Sequence, residues 1–194
     1  MAAGGAGSDR LDGGTGNNTL RGEADHDTLL GAAGHDALFG GAGNDRIDGG
    51  DDNDTLLGDA DHDTLTGAAG HDTLYGGTGN DRLDSGSGND RLESGDGSDT
   101  LDGGAGSDIL SGGTGANTFV FATGHDRITD FDTGQDRLAL ESALWDGRLI
   151  PADVLFLHGT VVGTETVLDF GCGQSLTLNH VIDLAALADW IDFI

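Results

Sequence analysis

A nine-residue repeat runs through most of this chain and limits the folds open to it. Written in nines from Gly4, the sequence gives GGAGSDRLD, GGTGNNTLR, GEADHDTLL and further units to Thr129, fourteen in all without a gap. The eighth position is apolar in every unit, and the sixth is Asp in twelve units and Asn in the other two, Asn18 and Asn117. A unit this short cannot bury its apolar residue alone, so stacked copies are expected.

The amino-acid types at the nine positions of one unit predict its local structure. Positions one to six are rich in glycine, which favours a sharp turn with positive φ angles. Positions seven to nine, for example Thr28-Leu29-Leu30, predict a three-residue strand whose middle side chain points inward. Residues 22–48 and 58–84 match at 21 of 27 positions, an offset of four units, so a coil should contain an even number of units. Stacking then gives a leucine ladder between two parallel sheets.

The turns raise an electrostatic problem that a cation would solve. Carboxylates at position six of successive coils would lie about 4.8 Å apart and repel one another. Calcium accepts six to eight oxygen ligands, including carboxylates and the backbone carbonyls that glycine-rich turns expose. Magnesium fits less well, because it requires stricter octahedral geometry and loses its water reluctantly.

The pattern resembles the repeats-in-toxin (RTX) nonapeptide G-G-x-G-x-D-x-U-x, a calcium-binding motif. The resemblance covers all fourteen units and implies an all-β fold, a right-handed parallel β-roll with a β-rich C-terminal cap. It also implies that each Ca²⁺ lies between one turn and the turn two units later. The aspartates that match the ligand position are Asp9, Asp27, Asp36, Asp45, Asp54, Asp63, Asp72, Asp81, Asp90, Asp99, Asp108 and Asp126. Asn18 and Asn117 lower the ligand charge, and Glu23 and Phe121 interrupt the loop pattern, so weaker sites are expected near both ends.

Charge and composition exclude several function classes. The chain has 8 Arg, no Lys and 35 acidic residues, a net charge of −27 at pH 7. Such a chain is not expected to bind nucleic acid or an anionic membrane. No apolar run approaches the roughly 18 residues of a membrane span, so membrane insertion is not expected either. The N-terminal residues lack the features of a cleavable signal peptide, and the single cysteine, Cys172, excludes an internal disulfide.

The sequence changes character after Thr129, which predicts a division into a roll at 4–129 and a C-terminal region at 130–194. The nine-residue register is expected to fail at Asp130, where ITDFDTGQDRLAL predicts a closing turn and strand. The runs VLFLH, VVGTETVLDF and SLTLNHV then predict β-strands, and DLAALADWIDFI has helical spacing. This region is expected to cap the open end of the solenoid. The resemblance further implies that it holds an uncleaved type I secretion signal.

Other candidate sites are weaker. Five histidines occupy position five (His26, His35, His62, His71 and His125). Equivalent histidines would lie two coils apart, about 9–10 Å, too far to share a zinc ion, so exposed loop histidines are expected. Cys172 has no histidine beside it in the sequence, and no H-E-x-x-H or G-x-S-x-G motif occurs. Phe39 and Tyr75 should share an outer face with Leu57, as a covered patch or a platform for sugar rings.

These observations favour a non-enzymatic, extracellular calcium-binding protein that folds on Ca²⁺ after export by type I secretion machinery. One alternative is the C-terminal targeting or carbohydrate-binding tail of a larger secreted hydrolase or epimerase. Another is a surface or matrix protein that assembles with itself. Calcium is the only cofactor expected, and polysaccharide is a further candidate partner.

Overall fold

A computed structural model describes residues 1–141, 159–171, 173–181 and 183–194. The predicted strand VLFLH, at 154–158, and Cys172 lie outside the described residues.

The described residues are mostly strands. In chain order the strands are β1 (Ala2–Ala6), β2 (Arg10–Asp12), β3 (Thr19–Ala24), β4 (Thr28–Ala33), β5 (Ala37–Ala42), β6 (Arg46–Asp51), β7 (Thr55–Ala60), β8 (Thr64–Ala69), β9 (Thr73–Thr78), β10 (Arg82–Gly88), β11 (Arg91–Asp96), β12 (Thr100–Asp102), β13 (Ala105–Gly106), β14 (Ile109–Ser111), β15 (Thr118–Phe121), β16 (His125–Ile128), β17 (Arg137–Leu140), β18 (Gly159–Val162), β19 (Glu165–Gly171), β20 (Gln174–Asn179) and β21 (Ile191–Phe193). A short helix, α1 (Leu184–Leu187), precedes β21, and a 3₁₀ turn at Ala188–Trp190 joins the two.

Successive strands of the repeat region alternate between two sheets. Within the described residues, sheet I has eleven strands in the order β1-β3-β5-β7-β9-β11-β14-β16-β20-β19-β18. Sheet II has ten, in the order β2-β4-β6-β8-β10-β12-β15-β17-β21, with β13 pairing to β10. Strands β1 to β17 pair only in parallel, and the antiparallel pairs are β18 with β19 and β19 with β20. The predicted parallel β-roll is confirmed.

One coil contains two nonapeptides, as the 36-residue duplication indicated. In sheet I, Leu20 pairs with Leu38 and Leu38 pairs with Leu56, a register of 18 residues. Position-eight side chains of both sheets point into the roll, and the central ones, such as Leu65, are fully buried. They form one continuous apolar cluster along the axis. The core is therefore a pair of facing leucine rows, one from each sheet.

The strands are longer than the sequence predicted. The three-residue strand expected at positions seven to nine continues through positions one to three of the next unit, as in Thr64–Ala69. Because a position-two residue such as Gly41 pairs in register with Asp59 one coil later, the glycine-rich half of the unit stays within the ladder. Only positions four to six form the turn.

Glu23 lies within the strand ladder of the roll. It has φ 83° and pairs with Gly41, the position-two residue of the next coil. Asp25, at position four, also has a positive φ of 74°. Non-glycine residues in this region cost about 1–2 kcal/mol each, so the stacked ladder must hold them there.

The C-terminal region extends both sheets. Strand β20 pairs with β16 in sheet I, and β21 pairs with β17 in sheet II. Aromatic rings fill the junction: the Phe119 and Phe131 centroids lie 5.8 Å apart, and those of Phe121 and Phe170 lie 5.2 Å apart. The helical pattern proved shorter than predicted, because Ile191 belongs to β21. The predicted division at 129/130 stays a prediction. Nowhere in the described ranges is a helix long and apolar enough to cross a bilayer.

Removal of one inward leucine should destabilise the roll strongly. Leu65→Ala leaves a cavity in a fully buried row, so we expect the free energy of unfolding of the calcium-loaded protein to fall by about 3 kcal/mol. Thr66→Ala, on the outer face of the same strand, should change it by less than about 0.5 kcal/mol. Denaturant unfolding followed by circular dichroism measures both, and equal effects would contradict the inward placement.

Candidate metal centre

The position-six aspartates stack along the two edges of the roll, where the chain crosses between sheets. The first edge carries Asp9, Asp27, Asp45, Asp63, Asp81 and Asp99, and the second carries Asp36, Asp54, Asp72, Asp90, Asp108 and Asp126. Each carboxylate Oδ1 beyond the first coil accepts a hydrogen bond from the position-six N–H one coil earlier. The Asp45 N–H donates to Asp63 Oδ1 at 2.8 Å, and the Asp54 N–H donates to Asp72 Oδ1 at 2.8 Å. Eleven of the twelve are buried, with Asp9 the half-buried exception.

The second carboxylate oxygen has no hydrogen-bond partner in almost every one of these turns. The buried, unpartnered Oδ2 atoms belong to Asp9, Asp27, Asp36, Asp45, Asp54, Asp63, Asp72, Asp81, Asp90, Asp99 and Asp108. In the nine of these turns that have glycine at position one, Oδ2 lies 2.3–2.7 Å from the point that a Cβ on that glycine would occupy. A Cβ added at Gly76, for example, would lie 2.6 Å from Asp81 Oδ2 and 2.6 Å from the carbonyl oxygen of Ser94, one coil further on. Two oxygens therefore converge on one point without a donor between them.

Backbone carbonyls add further oxygens to the turns. The carbonyl groups of Glu23 and Asp25 point along the stacking axis at Gly41 and Gly43 of the next coil. No cluster of three or more His, Cys, Asp or Glu side chains suited to a metal occurs among the described residues. A cation in a turn would therefore combine carboxylates with main-chain carbonyls. This is an all-oxygen donor set of the kind that calcium prefers.

Burial shifts the ionisation of the stacked carboxyls. The pKa of Asp54 and Asp63 is raised to about 7, mainly by desolvation on burial and in part by the charges of the stacked carboxylates one coil away. Desolvation raises the pKa of Asp72 and Asp81 to about 6. The pKa of Asp126 rises to about 8, from burial and from the charge of Asp108. Holding all these groups ionised without a cation is unfavourable.

The two asparagines keep the ladder but change its chemistry. Asn117 Oδ1 accepts from the Asp99 N–H at 3.1 Å, as an aspartate would. Its Nδ2 is a buried donor without a partner, in the place of the free carboxylate oxygen. Asn18 Nδ2 donates to the Gly16 carbonyl at 2.6 Å. An amide nitrogen repels a cation, and the weaker sites expected at both turns stay a prediction.

Four of the position-five histidines, His26, His35, His62 and His71, are exposed loop residues, as expected, whereas His125 is exposed and begins strand β16. The four loop histidines also join a second hydrogen-bond ladder that the sequence analysis did not predict. His26 Nδ1 accepts from the Asn44 N–H and His62 Nδ1 accepts from the Asn80 N–H, both at 2.7 Å. In this arrangement Nδ1 accepts and Nε2 is left as the donor nitrogen of the ring. Their role in the described turns is to satisfy backbone donors.

Asp136 extends the first edge and was missed in the sequence. Its Oδ1 accepts from the Asn117 N–H at 2.9 Å, across 19 residues instead of 18. The extra residue is Asp130, whose carboxylate binds the N–H groups of Gly112 and Gly113. The register expected to fail at Asp130 therefore slips by one residue and continues. The signal was present, since Gly134-Gln135-Asp136-Arg137-Leu138 matches positions four to eight.

Comparison with known families agrees with this geometry. The model described as RTX calcium-binding nonapeptide repeat (4 copies) matches residues 3–38, 30–65, 57–92 and 93–128. The chain belongs to the RTX calcium-binding repeat family. The matched residues form a β-roll module of this family.

Two solved structures are similar to this RTX chain. The extracellular lipase LipA from Serratia marcescens is 20% identical with a TM-score of 0.38, over 96% of this chain and 40% of the lipase. The AlgE6R3 subunit of the Azotobacter vinelandii mannuronan C5-epimerase is 32% identical with a TM-score of 0.44, over 73% of this chain and 78% of that subunit. The RTX chain thus spans less than half of the lipase. Comparison with curated proteins gives no significant match.

The raised pKa values predict that acid partly replaces calcium. In the unfolded chain these carboxyls titrate near 3.8, whereas Asp54 and Asp63 titrate near 7 in the roll. A raised carboxyl pKa means that the folded state binds more protons, so its stability rises as the pH falls. In chelator, β-structure measured by circular dichroism should therefore increase between about pH 8 and about pH 5.

An Asp54→Asn/Asp63→Asn variant is the control for this pH dependence. It keeps the Oδ1 acceptors but removes two of the titrating groups, so its pH profile should be flatter. A β-structure content that stays constant or falls on acidification in chelator would contradict the account.

Proposed function

We propose that this chain is a secreted calcium-binding module whose β-roll folds when Ca²⁺ enters the position-six turns. The observation that carries the proposal is the row of buried Oδ2 atoms without donors on both edges. A hard divalent cation supplies the positive charge that neutralises these oxygens when it is bound. The residues proposed to hold it are the twelve position-six aspartates of the two edges, together with backbone carbonyls of the same turns.

Without the cation, three effects oppose folding. The net charge is −27, the glycine-rich backbone loses much entropy on ordering, and each nonapeptide contributes only one core side chain. With the cation, the free energy of binding adds to the free energy of folding. The chain would therefore stay unfolded where calcium is scarce and fold where it is abundant.

We further propose export by type I secretion machinery, with residues 4–129 as the calcium-binding roll and 130–194 as cap and secretion signal. Low cytosolic calcium would keep the chain unfolded for export, and extracellular calcium would fold it. Membership of the RTX family supports an extracellular location. The pairing of β20 and β21 with the last coils supports a capping role for the C-terminal region. We propose no catalytic role for the chain itself.

A calcium titration followed by far-UV circular dichroism tests the folding switch. We expect a cooperative change from coil to β-structure with Ca²⁺ and none with Mg²⁺ at equal concentration. β-structure already complete in excess chelator at neutral pH would overturn the proposal.

The Asp63→Asn variant sharpens this titration because its two expected effects have opposite signs. The amide keeps the acceptor for the Asp45 N–H but removes a desolvated charge, so the ion-free chain should be no less ordered. Its calcium affinity should fall by about tenfold or more at that turn, since a carboxylate ligand is lost. Asp48→Asn, on the outer face of sheet II, is the matched control and should bind calcium as the natural chain does.

A second candidate function is polysaccharide binding on the outer face of sheet I. Arg21, Phe39, Leu57 and Tyr75 pair in register on adjacent strands and form a half-buried apolar row. The Arg21 guanidinium lies 4.1 Å from the centre of the Phe39 ring. Aromatic rings spaced along a sheet can stack against sugar rings, and the negative charge of the chain favours a neutral glycan over an anionic one.

Affinity electrophoresis through gels containing a soluble neutral glucan tests this platform. The calcium-loaded protein should be retarded, and Phe39→Thr/Tyr75→Thr should lose the retardation because threonine suits an exposed strand but cannot stack. Thr66→Ala on sheet II is the control. Glycan binding at this face would be excluded if the natural chain were not retarded. It would also be excluded if the double variant lost the retardation only because an oligomer had dissociated.

A further inference from the structure

Two units replace the position-one glycine with serine. Ser85 and Ser94 occupy consecutive units, so one lies at each edge of the roll at the same level along its axis. Both side chains are fully buried. Their neighbours one coil away, Gly67 and Gly103 for Ser85, keep the glycine.

Position one is the point on which the turn oxygens converge. At Gly67, an added Cβ would lie 2.5 Å from Asp72 Oδ2 and 2.7 Å from the carbonyl oxygen of Ser85. The φ angle of Gly67 is not in the left-handed region, so space rather than backbone conformation favours glycine there. Ser85 and Ser94 place real side chains in the equivalent space of their own turns.

The serine hydroxyls supply a donor that the other turns lack. Ser85 Oγ donates to the Gly103 carbonyl at 2.9 Å, and Ser94 Oγ donates to the Gly112 carbonyl at 2.9 Å. Both acceptors are carbonyl groups of position-one residues in the next coil. In turns with glycine at position one, such as Gly67, the equivalent carbonyl and a free carboxylate oxygen lie near the same point. Each serine therefore engages one main-chain carbonyl of the next coil.

We propose that Ser85 and Ser94 lower the calcium affinity of the Asp90 and Asp99 turns, giving the roll one level with weaker sites at both edges. This inference rests on the proposed function, since it grades the same calcium sites. The serine side chain fills space beside the carboxylate and engages a carbonyl oxygen that calcium could otherwise use. Calcium needs six to eight oxygens, so a turn with an occupied carbonyl and less space holds it less tightly.

The test compares Ser85→Gly, Ser94→Gly and the double variant with the natural chain. Glycine is native to this position in the neighbouring coils, so these variants are expected to fold in calcium. Isothermal titration calorimetry should show one site, or two in the double variant, tightened by about tenfold. The backbone amides of Asp72 and Asp81, which donate to Asp90 Oδ1 and Asp99 Oδ1, should reach their calcium-bound NMR resonances at lower calcium than in the natural chain.

Thr66→Ala is the matched control, because Thr66 lies on the outer face of β8, the strand that pairs with the Ser85 strand. It should leave the titration unchanged. Weaker calcium binding in the glycine variants would mean that the hydroxyls are ligands or structural supports, and would overturn the inference. Unchanged affinity would overturn it as well. If neither the natural chain nor the variants bind calcium, the proposed function itself fails.

Discussion

The position-six carboxylates stack along the two edges of the roll, and the stack provides a hydrogen-bond donor for only one of the two oxygens of each carboxylate. Coils lie about 4.8 Å apart, so each ionised aspartate faces two others along its edge. Oδ1 is satisfied by a backbone N–H from the coil before, whereas Oδ2 is left against a glycine α-carbon without a donor. A buried charge of this kind is unfavourable unless something positive meets it. The geometry of the turns therefore favours removal of this charge, by protonation or by a bound cation.

The hydrophobic core alone offsets the repulsion between the stacked carboxylates only weakly. Each coil adds one buried apolar side chain from each sheet, and the rows touch only their neighbours above, below and across. Solenoids of this type gain stability from contacts between adjacent repeats instead of from a wide globular core. Loss of order in one coil thus weakens the two beside it. The position-six turns and the buried leucines lie at the same coil-to-coil contacts, which is the basis of the proposal that ion binding is coupled to the order of the whole roll.

The described C-terminal region ends the periodic structure with different chemistry. Phenylalanine rings replace leucines at the junction, and β18 to β20 turn antiparallel, so the last parallel strands meet a different partner. Asp130 adds one residue and shifts the register, yet Asp136 returns a carboxylate to the first edge. The cap therefore continues the turn network for one step before closing it.

The sequence by itself determined the period, the parallel β-roll, the inward leucines and the stacked aspartates, because each of these depends on one residue type that recurs at a fixed spacing. It did not show the length of the strands, since glycine-rich letters predict turns and only the stacked ladder holds a residue such as Glu23 at positive φ. The sequence analysis also missed Asp136 as a position-six residue. A single inserted residue shifts the nine-residue numbering, whereas the stacking of the coils in space is kept. The free Oδ2 atoms, the acceptor role of His26 and the hydroxyls of Ser85 and Ser94 depend on contacts 18 residues apart. Only the tertiary structure decides these, because hydrogen-bond direction and packing space between coils are not encoded by spacing alone.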